Sequence, residues 1–232
     1  MGIWGWWAFD VFTLMASYLG SDVMGAQTIM RTIGLFTFMI PVGLASSVGT
    51  LTGNMVGAGK PEMAVRYYYI ALGLGVIISM FQILVLVVGR VEITAFFTDD
   101  ETVAAQMYLA WPILNCYVIF DTLQAEGMSV IRGTGNQRLG SIMTMSAYWV
   151  FGLPLSAIAC FYWDFGITGI WFGPTFAVFY LSVVYNIIIR RINWDELVQK
   201  AKERRVKEQE NREALKVRAL AREATKEGFE RN

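Results

Sequence analysis

Three carboxylates stand inside otherwise apolar stretches of this 232-residue chain: Asp10, Asp121 and Glu126. Asp10 follows "WGWWAF" with no basic residue near it in sequence. A charged side chain at the centre of a membrane helix costs about 2.5–3.5 kcal/mol on insertion scales, so such a residue points to work on a cation or a proton. The structural alternative for each is an ion pair or a place at the edge of a span, and Glu126 lies towards the Arg132 end of its run. Arg31 is the only basic residue placed inside a span, a few residues from its start, where snorkelling to the interface is the expected role.

The chain carries no histidine. That removes imidazole proton relays, serine–histidine catalysis and nearly all zinc chemistry. No cofactor motif is present and nothing points to nucleic acid. The glycine-rich stretches "GNMVGAGKPEMA" at 53–64 and "RGTGNQRLG" at 132–140 do not follow the phosphate-binding pattern G-x-x-x-x-G-K-[ST]. Their expected use is tight turning and close backbone approach at helix ends. Cys116 and Cys160 both lie in apolar runs, which argues against a disulfide framework.

The elements that must position these residues are transmembrane helices. The chain is 55% apolar and 14% aromatic. Apolar runs near 2–20, 26–51, 67–89, 103–128, 140–161 and 166–189 recur at roughly the 20 residues that cross a hydrocarbon core. Pro41 with Gly43, and Pro112, are read as internal breaks. The zero net charge conceals a division: residues 1–189 sum to −4 and residues 190–232 to +4. The expected organisation is an all-α membrane domain over residues 1–191 and a charged helical tail over 192–232.

Charge in the connections sets the orientation. Lys60 and Arg66, Arg132 and Arg138, and Arg190 and Arg191 follow every second span, while the alternate loops hold Asp22, then Glu92, Asp99, Asp100 and Glu101, then Asp164. By the positive-inside rule both termini face the cytoplasm or an equivalent compartment such as a matrix. In the tail, Asn193 with Glu196 reads as a capping box. Glu203 with Lys207 and Glu208 with Arg212 are i,i+4 pairs along it, and its apolar residues Leu197, Ala201, Leu215, Leu220 and Ala224 hold no steady stripe. Such a helix is a solvated rod or an arm that docks on a partner subunit or on anionic lipid.

The stretches "WWAFD", "LGSDVMGAQTI", "FMIPVGLASSVGTLTGNMVGAGKPEMA", "FFTDD", "VIRGTGNQRLGSI", "YWVFGLPLS" and "FGITGIWFG" run in the order seen in the multidrug and toxic compound extrusion (MATE) family. The resemblance covers residues 4–194 and is closest to eukaryotic members. It implies the second six-helix lobe of a secondary antiporter, which exports organic cations or related metabolites against proton or sodium flow. The family's helix seven resembles E-W-W-x-F-E. Here the first glutamate's position is Gly5 and the second acid is Asp10, while Asp121 matches the acidic position of helix ten. Asp10, Asp121 and Glu126 are thus the cation-coupling candidates, and a shared proton between Asp10 and Asp121 is one way they could act.

Trp6, Trp7, Tyr117 and Trp149 are candidates for the wall of an organic-cation cleft through cation–π contact, set against ordinary core packing. The family's inner motifs place Gly53, Asn54, Gly57, Gly59, Arg132, Gly133, Gly135 and Asn136 in loops. The chain starts just before the tryptophan pair, so it reads as part of a longer transporter or as a true half. A half acts only with another lobe, because alternating access needs two bundles around one site. The alternative is a non-transporting accessory subunit of a larger membrane complex, which the glycine at position 5 and the charged tail favour. The orientation is testable by replacing both native cysteines and introducing Lys60→Cys or Asp164→Cys. A membrane-impermeant maleimide should modify the two sites from opposite sides of the bilayer.

Overall fold

The computed structural model describes residues 3–203, with 206, 209 and 211–213. Eight helices precede the tail: α1 (Ile3–Leu19), α2 (Ser21–Gly57), α3 (Pro61–Val88), α4 (Arg90–Phe97), α5 (Glu101–Gly133), α6 (Gln137–Met145), α7 (Leu153–Phe161) and α8 (Gly166–Arg191). A wider π-helical stretch, Ser146–Gly152, joins α6 to α7. Among the described residues five helical segments are long and apolar enough to cross a membrane: α2, α3, α5, the composite Gln137–Phe161, and α8. The sequence reading counts six. The difference is α1, whose 17 residues reach about 25 Å at 1.5 Å each, short of a hydrocarbon core of about 30 Å.

Two expectations are corrected. Pro41 and Pro112 lie inside uninterrupted helices. In a packed bundle, neighbouring side chains and local adjustment accommodate the lost N–H, so proline there does not mark a break. The second acidic connection is also not a plain loop, since residues 90–97 form the short helix α4. The proline with a visible consequence is Pro154. It has no N–H to give to the carbonyl four residues back and its ring crowds that carbonyl. The helix widens just before it, and the Leu153 N–H reaches back five residues to the Tyr148 carbonyl.

At the centre of the bundle, α5 packs against α2, α3 and α8. Its direction relative to each neighbour follows from specific contacts. The Gln106 amide donates to Asp22 Oδ2 (3.2 Å) near one end of α2, and Gly133 lies on Gly49 near the other, so α2 and α5 run parallel. The Thr168 hydroxyl donates to the Leu109 carbonyl (3.2 Å), and Gly127 lies against Tyr185, so α8 is parallel as well. Helix α3 runs the other way: Trp111 Nε1 donates to the Leu86 carbonyl (2.9 Å), and Gly75 abuts Glu126. Gln82 of α3 caps this arrangement by donating to the Thr37 carbonyl of α2 (2.7 Å).

The outer surface is that of a lipid-facing bundle. On α3, Ile77, Phe81, Leu84 and Val88 are exposed while Ser79 and Gln82 are buried, the reverse of a helix at a water-facing surface. At one end, Asp100 caps α5 by accepting from the Thr102 N–H (2.8 Å) and hydroxyl (2.7 Å). These bonds, the Thr102 hydroxyl first, hold its carboxyl below the ordinary range. At the other end the tail begins as a helix from 194 through 203, with Asn193 Oδ1 accepting from the Glu196 N–H (3.3 Å). Its first turns do not stand free. Val198 packs with Val56 and Ala64 of the α2–α3 hairpin, and Trp194, Leu197 and Ala201 lie against that cluster. The pairs Glu203–Lys207 and Glu208–Arg212, and Leu215, Leu220 and Ala224, lie outside the described residues.

Several of the inner-loop glycines belong to helix rather than to loop. Gly53, Asn54 and Gly57 are in the last turns of α2, and Arg132 and Gly133 close α5. The turns use Gly59 (φ 73°) and Gly135 (φ 82°), conformations that favour glycine, with Asn136 preceding α6. Gly49 and Gly133 bring α2 and α5 into backbone contact: a Cβ on Gly133 would lie 3.1 Å from the Gly49 carbonyl carbon. Gly133→Ala should therefore destabilise the purified chain by about 1–3 kcal/mol, the usual cost of overpacking. Gly73→Ala, with nothing within 4 Å of its Cβ, should be neutral or slightly stabilising. Thermal unfolding of both variants in detergent checks the order.

Candidate functional site

Five helical segments meet around a cavity of about 100 Å³. From α1 it receives Gly5, Trp6 and Phe9; from α2, Arg31, Gly34, Leu35 and Phe38; from α5, Tyr117, Asp121, Gln124 and Met128. The composite helix adds Thr144 and Tyr148, and α8 adds Trp171. Tyr148 reaches the cavity from the π-helical stretch, a common device for re-aiming a side chain at a functional site. Gly34 makes room for Trp171, whose ring edge lies 3.6 Å from the position of a Cβ there.

Phe9 organises the aromatic wall. Its ring centroid lies 6.2 Å from those of Tyr117, Tyr148 and Trp171, and Tyr117 meets Trp171 edge-on at 5.4 Å. Such offset and edge-on pairs hold aromatic walls in fixed orientations. Asp121 sits in this wall almost wholly buried, with Gln124 Nε2 donating to its Oδ1 (3.0 Å). Thr144 shares a hydrogen bond with the Tyr185 hydroxyl (3.0 Å), which ties the composite helix to α8 behind the cavity.

The two remaining carboxylates are elsewhere. Asp10 is one residue beyond Phe9 but on the outer side of α1, with its side chain 64% exposed. It is paired with Arg31, whose Nη1 lies 2.8 Å from Asp10 Oδ1. Arg31 therefore does not simply snorkel as expected: it lines the cavity, and its guanidinium carbon lies 5.9 Å from the Phe9 ring centroid. Asp10 and Asp121 are engaged by different partners, and among the described residues no hydrogen bond joins them.

Glu126 is not an edge residue either. It is completely buried where α5 crosses α3, outside the cavity lining, and neither carboxylate oxygen has a hydrogen-bond partner. Arg132 instead donates to the Ser129 hydroxyl (3.2 Å). Gly75 supplies the space for Glu126, since a Cβ there would stand 3.0 Å from its carboxyl carbon.

Of the four aromatic candidates, Trp6 and Tyr117 line the cavity and Trp7 and Trp149 do not. Trp7 is half-exposed beside Trp4 at 6.1 Å, and Trp149 Nε1 donates to the Trp4 carbonyl (3.1 Å), tying the composite helix to α1. Gly5 does face the cavity, with the Tyr148 ring 3.5 Å from the position of a Cβ there. Arg31, Phe9, Tyr148 and Trp171 are cavity residues not anticipated from sequence. For Phe9 the usable signal was its place between the tryptophan pair and Asp10. Among the described residues no three Cys, Asp or Glu side chains converge as a metal site. The chemistry available is that of one buried acid and one guanidinium against aromatic rings.

Known proteins with this sequence pattern and fold are transporters. An uncharacterized transporter of Schizosaccharomyces pombe is 30% identical over 196 residues, covering 84% of this chain and 36% of the relative. Multidrug and toxin extrusion protein 1 of Oryctolagus cuniculus is 29% identical over 197 residues, covering 85% of this chain and 35% of the relative. The chain thus spans about a third of the length of these relatives. The crystal structure of the eukaryotic MATE transporter AtDTX14 superposes with a TM-score of 0.81 at 26% identity, over 86% of this chain and 45% of that one. An outward-facing multidrug resistance MATE transporter shares the fold, with a TM-score of 0.74 at 14% identity over 83% and 43%. The MatE family model matches residues 2–158. With the buried Asp121 and its aromatic surround carried on that fold, this chain is an integral membrane protein of the MatE family, whose members are transporters rather than enzymes.

Proposed function

We propose that this chain is one lobe of a secondary antiporter. In this reading it has six spans, with α1 as the first, over residues 1–191. The tail over 192–232 extends from its inner end, and both termini lie on the cytoplasmic or matrix side. It exports organic cations or related metabolites against proton or sodium flow, working with another lobe by alternating access. The observation that carries the reading is Asp121, a buried carboxylate in an aromatic cavity, with the Gln124 amide donating to it. A carboxylate so placed can exchange a proton or small cation for an organic cation, because only one positive charge at a time is well accommodated.

Among the three acids, Asp121 alone faces the cavity. The reading therefore gives coupling to Asp121, a supporting role to Asp10 through Arg31, and no contact with substrate to Glu126. Trp6 and Tyr117 are the cleft aromatics, and the inner glycines serve the helix crossing and turns. A second reading, a non-transporting accessory subunit of a larger membrane complex, draws on Gly5. There the cavity offers only a hydrogen where the resemblance implies a glutamate.

Flux separates the two. The chain, purified with whatever accompanies it, is reconstituted into liposomes with an imposed pH or sodium gradient, and uptake of labelled tetraethylammonium is followed. Transport predicts gradient-driven uptake that Asp121→Asn lowers at least about tenfold, the effect of about 1.4 kcal/mol. Uptake indifferent to Asp121→Asn would remove the coupling assignment. No uptake of tetraethylammonium or of a zwitterionic analogue, with co-purification in a large assembly of fixed stoichiometry, would support the accessory role. Gly5→Glu provides a gain-of-function arm: its Cβ meets the Tyr148 ring at ordinary contact distance, so the fold should tolerate it and coupled uptake should rise.

A further inference from the structure

Arg31 gives the cavity a character that a pure cation site lacks. It is the one basic side chain among the cavity residues, and Asp121 is the one acidic side chain. Its partner Asp10 balances it only from outside, being far more exposed (64% against 23%) and absent from the cavity wall. The guanidinium carries five N–H donors in a planar fork suited to a carboxylate. Asp10 is the one partner described for this side chain, through Nη1. The Arg31 side chain also lies on the Phe9 ring, so that π face already holds a cation.

A simple organic cation entering this space meets attraction from Asp121 and repulsion from Arg31 within a cavity of about 100 Å³. Both charged side chains line this one cavity, so a ligand seated in it is exposed to both. A ligand carrying both charges satisfies both. We propose that this cavity selects a compact zwitterion, its ammonium group towards Asp121 and its carboxylate on Arg31, over a simple organic cation. The proposal rests on the reading of this cavity as the substrate site, and Arg31 is then its specificity-determining residue. Electrostatic selection of this kind uses one attractive and one repulsive element together.

Three probes of nearly one shape test it: glycine betaine (zwitterion), choline (cation) and 3,3-dimethylbutanoate (anion). Binding to the full chain in lipid nanodiscs is measured by calorimetry. Betaine should bind at least about tenfold tighter than either of the others. Arg31→Gln should remove that advantage while choline binding is kept or improved, which shows that the variant is folded. Arg31→Lys should recover part of it. Asp121→Asn should weaken betaine and choline but spare 3,3-dimethylbutanoate. Choline binding as tightly as betaine in the unaltered chain would overturn the zwitterion assignment and leave the transport reading in place. Failure to bind any of the three would overturn both.

Discussion

The close crossing of α5 on its neighbours is the constraint on which the rest of this lobe depends. In hydrocarbon there is no gain from hiding apolar side chains, since lipid tails are as apolar as leucine. Helices must instead associate through contact area and shared hydrogen bonds. Gly49 against Gly133, Gly127 against Tyr185 and Gly75 against Glu126 let α5 approach three helices at positions where any side chain would intrude. The same principle operates between the composite helix and α8, where Gly152 and Gly173 face one another and the Ser156 hydroxyl donates to the Ile170 carbonyl (2.7 Å). These contacts fix α5, and α5 carries both Tyr117 and Asp121. The acid is thus placed by backbone geometry rather than by a network of its own.

Charge within the lobe is handled in three ways. Asp10 and Arg31 pair across α1 and α2 at the outer side of the cavity wall. Asp121 is buried with one amide donor and open space before it, an arrangement that leaves it responsive to whatever enters the cavity. Glu126 is sealed between α3 and α5 with no donor. The contrast between Asp121 and Glu126, five residues apart on one helix, is a contrast of faces: about 140° of rotation separates an open wall from a closed contact.

Much of this was legible in the sequence, for identifiable reasons. Apolar run length located the middles of α2, α3, α5 and α8, with ends up to six residues off, because a hydrocarbon core imposes one length on everything that crosses it. The ends were harder. Gly53 and Gly57 read as loop but are helical, because glycine at a close crossing and glycine at a turn are the same letter. Pro41 and Pro112 read as breaks for a similar reason, yet the backbone widens instead at Ser146–Gly152, just before Pro154, in the stretch that carries Tyr148. Arg31 was misread because its partner lies 21 positions earlier on another helix, and no one-dimensional pattern exposes that pairing. Trp149 looked like a cleft residue by type, yet it faces α1. Residue type announces capacity, whereas helix rotation assigns it.

Gly5 and Arg31 are best understood together. A glutamate at position 5 would stand in the same wall as Arg31 and face the same small space. An arginine beside a carboxylate forms a strong, geometrically specific pair, and each then shields the other from any ligand. With glycine there, Arg31 is paired with Asp10 at the rim. Asp10 engages it through Nη1, and the rest of the planar fork can meet an incoming anion. The loss of one acid and the presence of one base therefore act in the same direction. They convert a wall that would draw only positive charge into one that presents both signs, with Asp121 as the remaining negative pole.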